Sequence, residues 1–447
     1  MTTHLPHVKK VDPEMTELIR KEAQRQEKTL MMIPSENIAS KAVQEAVGSC
    51  LGNKYAEGYP NKRYYQGQEF IDQIEKLAKK RAEKAFGVPH ANVQPLSGSP
   101  ANLAVYLGIL KPGDTLMGLD LAHGGHLTHG SKVSVSGIYY NSVGYTLGDD
   151  GKMDYKAIEK LALKHKPKLI VAGITAYPLQ VDWAKFAKIA EKVDAYLMAD
   201  IAHLSGLVVS GAYPSPVPHV HIVTTTTHKT LRGPRGAMIM VTEKGLKKNE
   251  KLAKTIDKAV FPRLQGGPHI NAVAGIGVAL KEAMTAKFKK YGAQIVKNSE
   301  TIAAELKKRD FNLVAGGSNT HLILIDLQNK GLIGNLAAEA LEAANIVLNR
   351  NSVPYDPNPP FYPSGIRMGT PGITSRGMKT REMKIVAKGI ADVVEDVARI
   401  KQEMGIEFEQ EKDKKVRAKI IAKSKVVKRV KKEVLELCKK YPVPESY

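Results

Sequence analysis

Residues 224–230 read TTTTHKT, a run of threonines that ends in a histidine and a lysine. β-Branched residues favour extended backbone, so residues 223–227 are predicted to form a strand with Lys229 at its exit. Ligands of parallel sheets bind beyond the carboxyl ends of the strands, and Lys229 is therefore expected to face a crevice. His228 and Arg235 add positive charge there, which favours the proton loss that a nucleophilic lysine requires.

Short apolar runs and helical patterns alternate on the N-terminal side of this stretch. Residues 169–174 and 196–199 have the composition of buried strands, and residues 184–193 between them have helical spacing. Residues 221–227 continue the series. The alternation predicts a mainly parallel sheet that is covered by helices, which is an α/β fold.

Three zones divide the 447 residues of the chain. Residues 1–45, with a helical pattern at 13–28, are expected to form an N-terminal arm of the kind often found in dimers. Residues 46–290 are expected to form the large α/β domain. Residues 291–447 are expected to form a smaller α+β domain that ends in a basic helix.

The composition, with 43% hydrophobic and 25% charged residues, is that of a globular protein with ample material for a core. No apolar run approaches the roughly 18 to 20 residues of a membrane span, and residues 1–10 lack the apolar segment of a signal peptide, so a soluble cytoplasmic protein is expected. Cys50 and Cys438 fit neither a disulfide framework nor a metal site. The net charge of +22 favours anionic partners such as phosphates, polyglutamylated cofactors or nucleic acid.

Two further groups stand where ligands commonly bind. Asp200 follows the apolar run 196–199, where a carboxylate can either cap a helix or bind a protonated ring nitrogen. Ser97, Gly98 and Ser99 precede a helical run, where backbone N–H groups can cradle a phosphate or simply form a turn. Pyridoxal phosphate requires three such groups together: a site for its phosphate, a carboxylate for its ring nitrogen and a lysine for its aldehyde.

Seven motifs then form one pattern over residues 35–377. They are SEN at 35–37, NKYAEGYP at 53–60, KRYY at 62–65, HGGHLTHG at 123–130, TTTTHKTLRGPRG at 224–236, QGGP at 265–268 and SGIR at 364–367. With this pattern the chain resembles the serine hydroxymethyltransferases, pyridoxal phosphate enzymes of the aspartate-aminotransferase-like group (fold type I). The resemblance implies a mainly parallel seven-stranded sheet and reversible transfer of the serine hydroxymethyl group to a reduced pterin, with glycine as product.

The resemblance also implies roles around the cofactor. Lys229 would form the Schiff base with pyridoxal phosphate, Asp200 would pair with its ring nitrogen, and His126 would stack on its ring. The other residues implied around the ring and the phosphate of the cofactor are Ser97, Gly98, Ser99, Thr175, His203, Thr226, His228 and Arg235. The neighbouring subunit would contribute Tyr55, Gly266 and Gly267, which implies a homodimer that could pair into a tetramer.

Substrate and pterin residues follow from the same resemblance. Arg367, assisted by Ser35 and Tyr65, would bind the carboxylate of serine or glycine, a task that suits the bidentate guanidinium group. Glu57 would be the acid–base group near the transferred carbon. The other residues implied at the pterin site are Tyr64, Leu121, Gly125, Leu127 and Asn351. The carrier could be tetrahydrofolate or tetrahydromethanopterin, and cleavage could follow a retro-aldol route or direct attack by the pterin.

Four positions depart from the family pattern: Pro34, Leu96, Pro100 and Thr175 stand where alanine, histidine, glutamine and serine are usual. Thr175 keeps a hydroxyl group, so the type of reaction is expected to survive.

Two alternatives to the transferase remain open at this stage. A pterin-independent pyridoxal phosphate aldolase, acting on threonine or another β-hydroxy amino acid, would use the same electron sink and carboxylate site, but Glu57, Tyr64 and Asn351 favour the transferase. An RNA-binding side function of the basic stretch 412–440 is the remoter alternative, since a basic amphipathic helix more simply covers the small domain with its charged face in solvent.

Overall fold

A computed structural model describes residues 5–444, so residues 1–4 of the predicted arm and 445–447 of the predicted small domain lie outside the described part. Internal contacts divide the chain into two compact units. One comprises the chain up to Lys41 together with the chain from Gln294, and the other comprises Ala42–Ala293. The predicted three-part division at residues 45 and 290 stays a prediction.

Strands and helices in the described residues are named in chain order. The strands are β1 Leu30–Met31, β2 Gly58–Tyr59, β3 Lys62–Arg63, β4 His90–Asn92, β5 Thr115–Leu119, β6 Asn141–Tyr145, β7 Leu169–Gly173, β8 Tyr196–Asp200, β9 Ile222–Thr226, β10 Ala237–Val241, β11 Asn312–Leu313, β12 Leu322–Asp326, β13 Ile346–Val347, β14 Asn349–Asn351 and β15 Gly365–Gly369. The helices are α1 Pro6–Val11, α2 Pro13–Lys28, α3 Lys41–Val47, α4 Glu69–Phe86, α5 Gly98–Ile109, α6 Val135–Tyr139, α7 Tyr155–His165, α8 Trp183–Lys192, α9 Ser205–Ser210, α10 Glu243–Lys248, α11 Leu252–Lys258, α12 Ile270–Ala283, α13 Ala286–Lys307, α14 Gly334–Ala343, α15 Pro371–Ser375, α16 Thr380–Glu403, α17 Phe408–Glu411, α18 Lys414–Lys423 and α19 Lys425–Lys440.

The unit Ala42–Ala293 contains a seven-stranded sheet in the order β4-β10-β9-β8-β7-β5-β6. Strands β6, β5, β7, β8 and β9 are parallel, and β10 is antiparallel to both of its neighbours. Strands β7, β9 and β10 are buried along their whole length, as expected of strands that helices cover on both faces. This architecture confirms the predicted fold class.

Register places the ends of the parallel strands β7 and β8 side by side, with β9 extending two residues beyond them. Gly173 at the end of β7 is the partner of Asp200 at the end of β8, and Asp200 is the partner of Thr224 in β9. Helix α8 between β7 and β8 starts where the Asp182 carboxylate accepts the backbone N–H of Lys185 at 3.0 Å. The predicted helix at 184–193 is thereby confirmed.

The other unit contains a four-stranded antiparallel sheet in the order β11-β12-β15-β14, with α14 and α16 in its core. The arm belongs to this unit, because β1 pairs in parallel with β13 and Leu30 and Met32 lie in the same apolar core. Helix α13 begins at Ala286, where the Thr285 hydroxyl caps it by accepting the backbone N–H of Phe288 at 3.2 Å.

The basic stretch 412–440 contains two helices, α18 and α19, rather than one continuous helix, and α19 is the basic helix at its end. Ser424 separates them: its hydroxyl accepts the backbone N–H of Val427 at 3.0 Å and donates to Asp396 at 2.6 Å. The apolar side of α19, with Val430 and Cys438, is buried in the core with α16. The basic side chains of α19 therefore lie on the side of the helix that faces away from α16. No helix of residues 5–444 has the length and apolarity needed to cross a membrane.

Candidate active site

Asp200 lies at the end of β8 and is buried. Its Oδ2 accepts hydrogen bonds from Asn102 Nδ2 at 2.8 Å and from His129 Nε2 at 3.0 Å, and its Oδ1 accepts the backbone N–H of Ala202 at 3.0 Å. Burial alone would raise the pKa of this carboxyl, but the hydrogen bonds from His129 and Asn102 outweigh it and hold the pKa of Asp200 well below its usual range. Asp200 is therefore a buried carboxylate that stays ionised.

Asn102 and His129 were not predicted as site residues. Asn102 Oδ1 accepts the Thr224 hydroxyl at 2.7 Å, and His129 Nδ1 accepts the backbone N–H of His126 at 3.2 Å. That second bond leaves the proton of His129 on Nε2, where it is donated to Asp200. The available signals were the third histidine of the 123–130 motif and a single amide in the mostly apolar helix α5.

Lys229 lies just beyond β9, the neighbour of β8. Its Nζ donates to Thr226 Oγ1 at 3.0 Å, and Thr226 in turn donates to the backbone carbonyl of Ala202 at 3.2 Å. His203 is buried beside them, and its carbonyl accepts the hydroxyl of Thr230 at 3.1 Å. The structure thus brings the predicted residues Lys229, Thr226 and His203 together at adjacent strand ends.

Two predicted histidines are held neutral near this lysine. Burial lowers the pKa of His126 to about 4 against the attraction of Asp200, and its Nδ1 lies 2.8 Å from the hydroxyl of Thr128. Burial, with the charges of Lys229 and Arg235, lowers the pKa of His228 to about 3. His228 Nε2 accepts from Arg235 Nη1 at 3.1 Å, while its Nδ1 is buried and makes no hydrogen bond within residues 5–444.

The N-terminus of α5 lies against the same turn. A Cβ atom at Gly98 would be 2.7 Å from Thr226 Cγ2, so only glycine allows this close approach. Ser97 precedes the helix and Ser99 stands in its first turn, where unpaired N–H groups and the helix dipole favour an anion. Pyridoxal phosphate fits this set of groups: the lysine, the ionised carboxylate of Asp200, the imidazole N–H of His228 and the N-terminus of α5.

A glycine-rich loop follows β5 and carries three predicted pterin residues. Leu121 and Leu127 expose 47% and 45% of their surface, which leaves apolar contact area open to a ligand. A Cβ atom at Gly125 would lie 1.9 Å from the carbonyl oxygen of Leu119, so the loop requires glycine there. The backbone N–H of Thr175, beyond β7, donates to the Gly124 carbonyl at 2.8 Å and ties this loop to the end of the sheet.

A second group of predicted residues surrounds Tyr55 in the same unit. The Tyr55 hydroxyl lies 3.3 Å from Glu57 Oε1, and its ring makes an edge-to-face contact with Tyr65 at 5.3 Å. Gly266 and Gly267 pack against this pair, since a Cβ atom at Gly267 would lie 2.8 Å from the Tyr55 ring and one at Gly266 would lie 3.3 Å from Glu57 Oε1. The structure therefore brings the residues expected from a neighbouring subunit into one cluster.

Arg367, Asn351 and Ser35 belong to the other unit. Arg367 on β15 is buried, its Nε donates to Asn349 Oδ1 at 3.1 Å, and burial lowers its pKa to about 10, which still leaves it cationic at neutral pH. Asn351 accepts from Asn349 Nδ2 at 3.4 Å, so Arg367 and Asn351 share one polar neighbour. Ser35 is partly buried in the segment after β1.

The four departures from the family pattern have local explanations at three positions. Pro34 packs against β15, where a Cβ atom at Gly369 would lie 2.7 Å from Pro34 Cα. The backbone N–H of Leu96 donates to Gln265 Oε1 at 3.1 Å, a bond that its side chain does not affect. Pro100 stands in the first turn of α5, where its missing N–H costs no helical hydrogen bond. The structure offers no reason for threonine rather than serine at 175.

An ionised aspartate and a lysine at adjacent strand ends of a mainly parallel seven-stranded sheet define a fold type I pyridoxal phosphate enzyme. The family model for serine hydroxymethyltransferase matches residues 8–390. The chain is 53% identical to the serine hydroxymethyltransferase of Desulfotalea psychrophila over 97% of this chain and 95% of that protein. It is 53% identical to that of Acidothermus cellulolyticus, over 97% and 96%, and 50% identical to that of Legionella pneumophila, over 98% of each chain. The chain therefore belongs to the serine hydroxymethyltransferase family.

Proposed function

We propose that this enzyme transfers the hydroxymethyl group of serine to a tetrahydrofolate-type carrier, with Lys229 as the lysine that binds pyridoxal phosphate. Family membership over nearly the whole chain supports the reaction and the cofactor. The observation that carries the residue assignment is the ionised Asp200 beside the Lys229–Thr226 contact of 3.0 Å. When bound, pyridoxal phosphate supplies an electron-poor ring that accepts the electron pair of a bond broken at the substrate Cα.

Asp200 and its donors would keep the ring nitrogen protonated. A buried carboxylate that stays ionised attracts and holds a proton on a facing nitrogen, which no neutral side chain could do as strongly. His126, neutral at physiological pH, can stack on a ring without placing a second cation beside it. We assign ring contacts to Thr175 and His203, and phosphate contacts to Ser97, Gly98, Ser99, His228 and Arg235.

Arg367 would bind the substrate carboxylate, with Ser35 and Tyr65 assisting. Its guanidinium group is buried and cationic, and burial strengthens its attraction for a carboxylate. The hydrogen bond from Nε to Asn349 fixes the orientation of the planar group. Arg367 thus offers a positioned cation rather than a mobile surface charge.

Glu57 would move the proton that the hydroxymethyl transfer requires, and Tyr64 would offer its ring to the pterin. The Glu57 carboxylate is oriented by the Tyr55 hydroxyl at 3.3 Å, and Tyr64 exposes 70% of its surface. Leu121, Gly125, Leu127 and Asn351 complete the proposed pterin site.

A homodimer is part of the proposal. The Tyr55 cluster, with Glu57, Gly266 and Gly267, would serve the cofactor site of the neighbouring subunit. The exposed aromatic rings of Tyr55 and Tyr65 support this view, because exposed aromatic clusters are enriched at interfaces. Tetramer formation and a cytoplasmic location stay predictions.

The test supplies serine with tetrahydrofolate, with tetrahydromethanopterin, or with neither. Glycine formation that depends on a pterin supports the transferase, whereas equally rapid glycine formation without a pterin would favour the aldolase. A Lys229→Ala variant should lose the visible absorbance of a lysine-bound cofactor and nearly all turnover. Full activity in that variant would refute the assignment of Lys229.

A further inference from the structure

A groove runs between helices α7 and α8 of the unit Ala42–Ala293. The two helices pack against each other and against strands β6, β7 and β8 of the large sheet. The groove has a cavity volume of about 460 Å³, and all of its lining residues belong to these two helices. It is therefore separate from the crevice at the strand ends, where Lys229 and Asp200 lie.

Part of the lining of this groove is apolar. Tyr155, Leu163 and Ile189 contribute to it, and Leu163 leaves 47% of its surface exposed. Apolar surface of this kind gains free energy when an apolar side chain of another molecule displaces water from it. The groove thus offers a contact area to an apolar group.

Lysines surround these apolar side chains on both helices. Helix α7 contributes Lys156 and Lys160, and helix α8 contributes Lys185, Lys188 and Lys192. Glu159 is the acidic residue of the lining, and it is already paired with Lys192 at 2.5 Å. Five lysines against one glutamate leave a net charge of +4 around the groove.

Three of the five lysines are available to a ligand. Lys156, Lys160 and Lys188 are exposed, and they make no hydrogen bond and no ion pair within residues 5–444. Lysines that are held close together repel one another, and a bound anion relieves that repulsion. The groove is therefore complementary to a molecule that carries several negative charges beside an apolar surface.

The chemistry of the groove favours an acidic helix over a nucleic acid or a membrane. Nucleic acids are bound by arginines and by exposed aromatic faces, but the cations here are lysines, and the Tyr155 ring is covered by Lys185 at 4.9 Å and contacted by Phe186 at 5.5 Å. A membrane surface is flat, whereas these apolar side chains line a concave groove. A helix with an apolar stripe between acidic residues matches both the shape and the charge.

We propose that the groove between α7 and α8 binds an acidic amphipathic helix of a partner protein. The apolar stripe of that helix contacts Leu163 and Ile189, and its carboxylates pair with Lys156, Lys160 and Lys188. Helices α7 and α8 have 11 and 10 residues, a length of about 16 Å at 1.5 Å per residue, which accommodates about three turns of a bound helix. The proposal does not depend on the reaction that the enzyme catalyses.

The test measures the binding of synthetic peptides to the full-length enzyme with bound pyridoxal phosphate, by fluorescence anisotropy. The first peptide, of about 14 residues, contains glutamate, alanine and leucine, with the leucines spaced to form one stripe on a helix. The second has the same composition in an order that distributes the leucines around the helix. The enzyme should bind the first peptide about tenfold more tightly, because only its leucines enter the groove together. An oligouridylate of equal charge should bind more weakly than the first peptide.

Two variants separate the charges of the groove from its apolar part. Lys160→Glu combined with Lys188→Glu should weaken binding of the first peptide about tenfold or more, because each substitution replaces an attraction with a repulsion. Leu163→Ser keeps every charge and should weaken binding about fivefold, because the apolar contact of the half-exposed leucine is lost. These residues are exposed, so both variants should keep the melting temperature and the activity of the parent enzyme.

Lys428→Glu combined with Lys432→Glu is the matched control. It reverses the same number of exposed charges on α19, outside the groove, and should leave the dissociation constant within about twofold. Equal affinity for the two peptides would overturn the proposal, since it would show attraction of charge alone. Tighter binding of the oligouridylate, or unchanged binding of the first peptide in the Lys160→Glu and Lys188→Glu double variant, would overturn it as well.

Discussion

Removal of the His129 imidazole tests how the protein keeps Asp200 ionised. His129 is buried, and its Nε2 supplies one of the two side-chain hydrogen bonds to Asp200 Oδ2, at 3.0 Å. A His129→Ala substitution leaves Asn102 and the backbone N–H of Ala202 in place. The pKa of Asp200 should therefore rise, because burial continues to oppose its charge while one opposing interaction is gone.

The size of the effect follows from the type of bond. A hydrogen bond to a charged group contributes about 1.5–3 kcal/mol, which corresponds to a factor of roughly ten to a hundred in an equilibrium or a rate. We expect a loss of that order in the affinity for pyridoxal phosphate and in kcat, since His129 acts through Asp200 as a positioning residue. The cavity left by the ring should also lower the free energy of unfolding by about 2 kcal/mol or more.

The assay is a spectrophotometric titration of the apoenzyme with pyridoxal phosphate, followed by kcat at saturating serine and tetrahydrofolate. His129→Gln retains an amide N–H and should recover part of the loss, and His165→Ala removes an exposed histidine at the end of α7 as a control. If His129→Ala retained the cofactor affinity and the kcat of the parent enzyme, this account of Asp200 would be refuted.

Three shorter predictions concern other parts of the chain. Gly98→Ala should weaken cofactor binding about tenfold or more, measured by the same titration, because its Cβ would lie 2.7 Å from Thr226 Cγ2. Burial lowers the pKa of His221 to about 4, so the unfolded chain binds more protons than the folded chain between about pH 6.5 and pH 4. The free energy of unfolding should therefore fall by about 3 kcal/mol as the pH falls towards 4. Denaturation at several pH values measures this loss, which should be smaller in His221→Gln. Arg376→Met should lower the free energy of unfolding by about 3 kcal/mol, because this guanidinium donates to backbone carbonyls of the arm and of the end of α19; an unchanged melting temperature would contradict that role.

Elements near the site were predictable because their patterns are local. The strands predicted at 169–174, 196–199 and 221–227 correspond to β7, β8 and β9, whose apolar and β-branched runs favour buried extended backbone. The division of the basic C-terminal stretch into α18 and α19 was not predicted, because it occurs at Ser424, whose hydroxyl caps α19 and also donates to Asp396 in a different helix.

The candidate site was predictable in part. Residues in recognisable motifs, such as Lys229 and the 123–130 loop, could be named from the sequence, because the residue types and spacing of a motif together indicate its chemical role. Asn102 could not be named, because an amide in an apolar helix gains a role only from what the folded chain places against it.

The sequence by itself determined the class of fold, the family and the lysine expected to bind the cofactor, because strand periodicity and motif spacing are encoded within short stretches of chain. Only the tertiary structure decided which groups keep Asp200 ionised. Asn102 and His129 stand 98 and 71 residues from Asp200, yet their nitrogen atoms lie 2.8 Å and 3.0 Å from its carboxylate. Charge, burial and hydrogen bonding act over a few ångströms, so they are set by the packing of distant segments rather than by any local pattern.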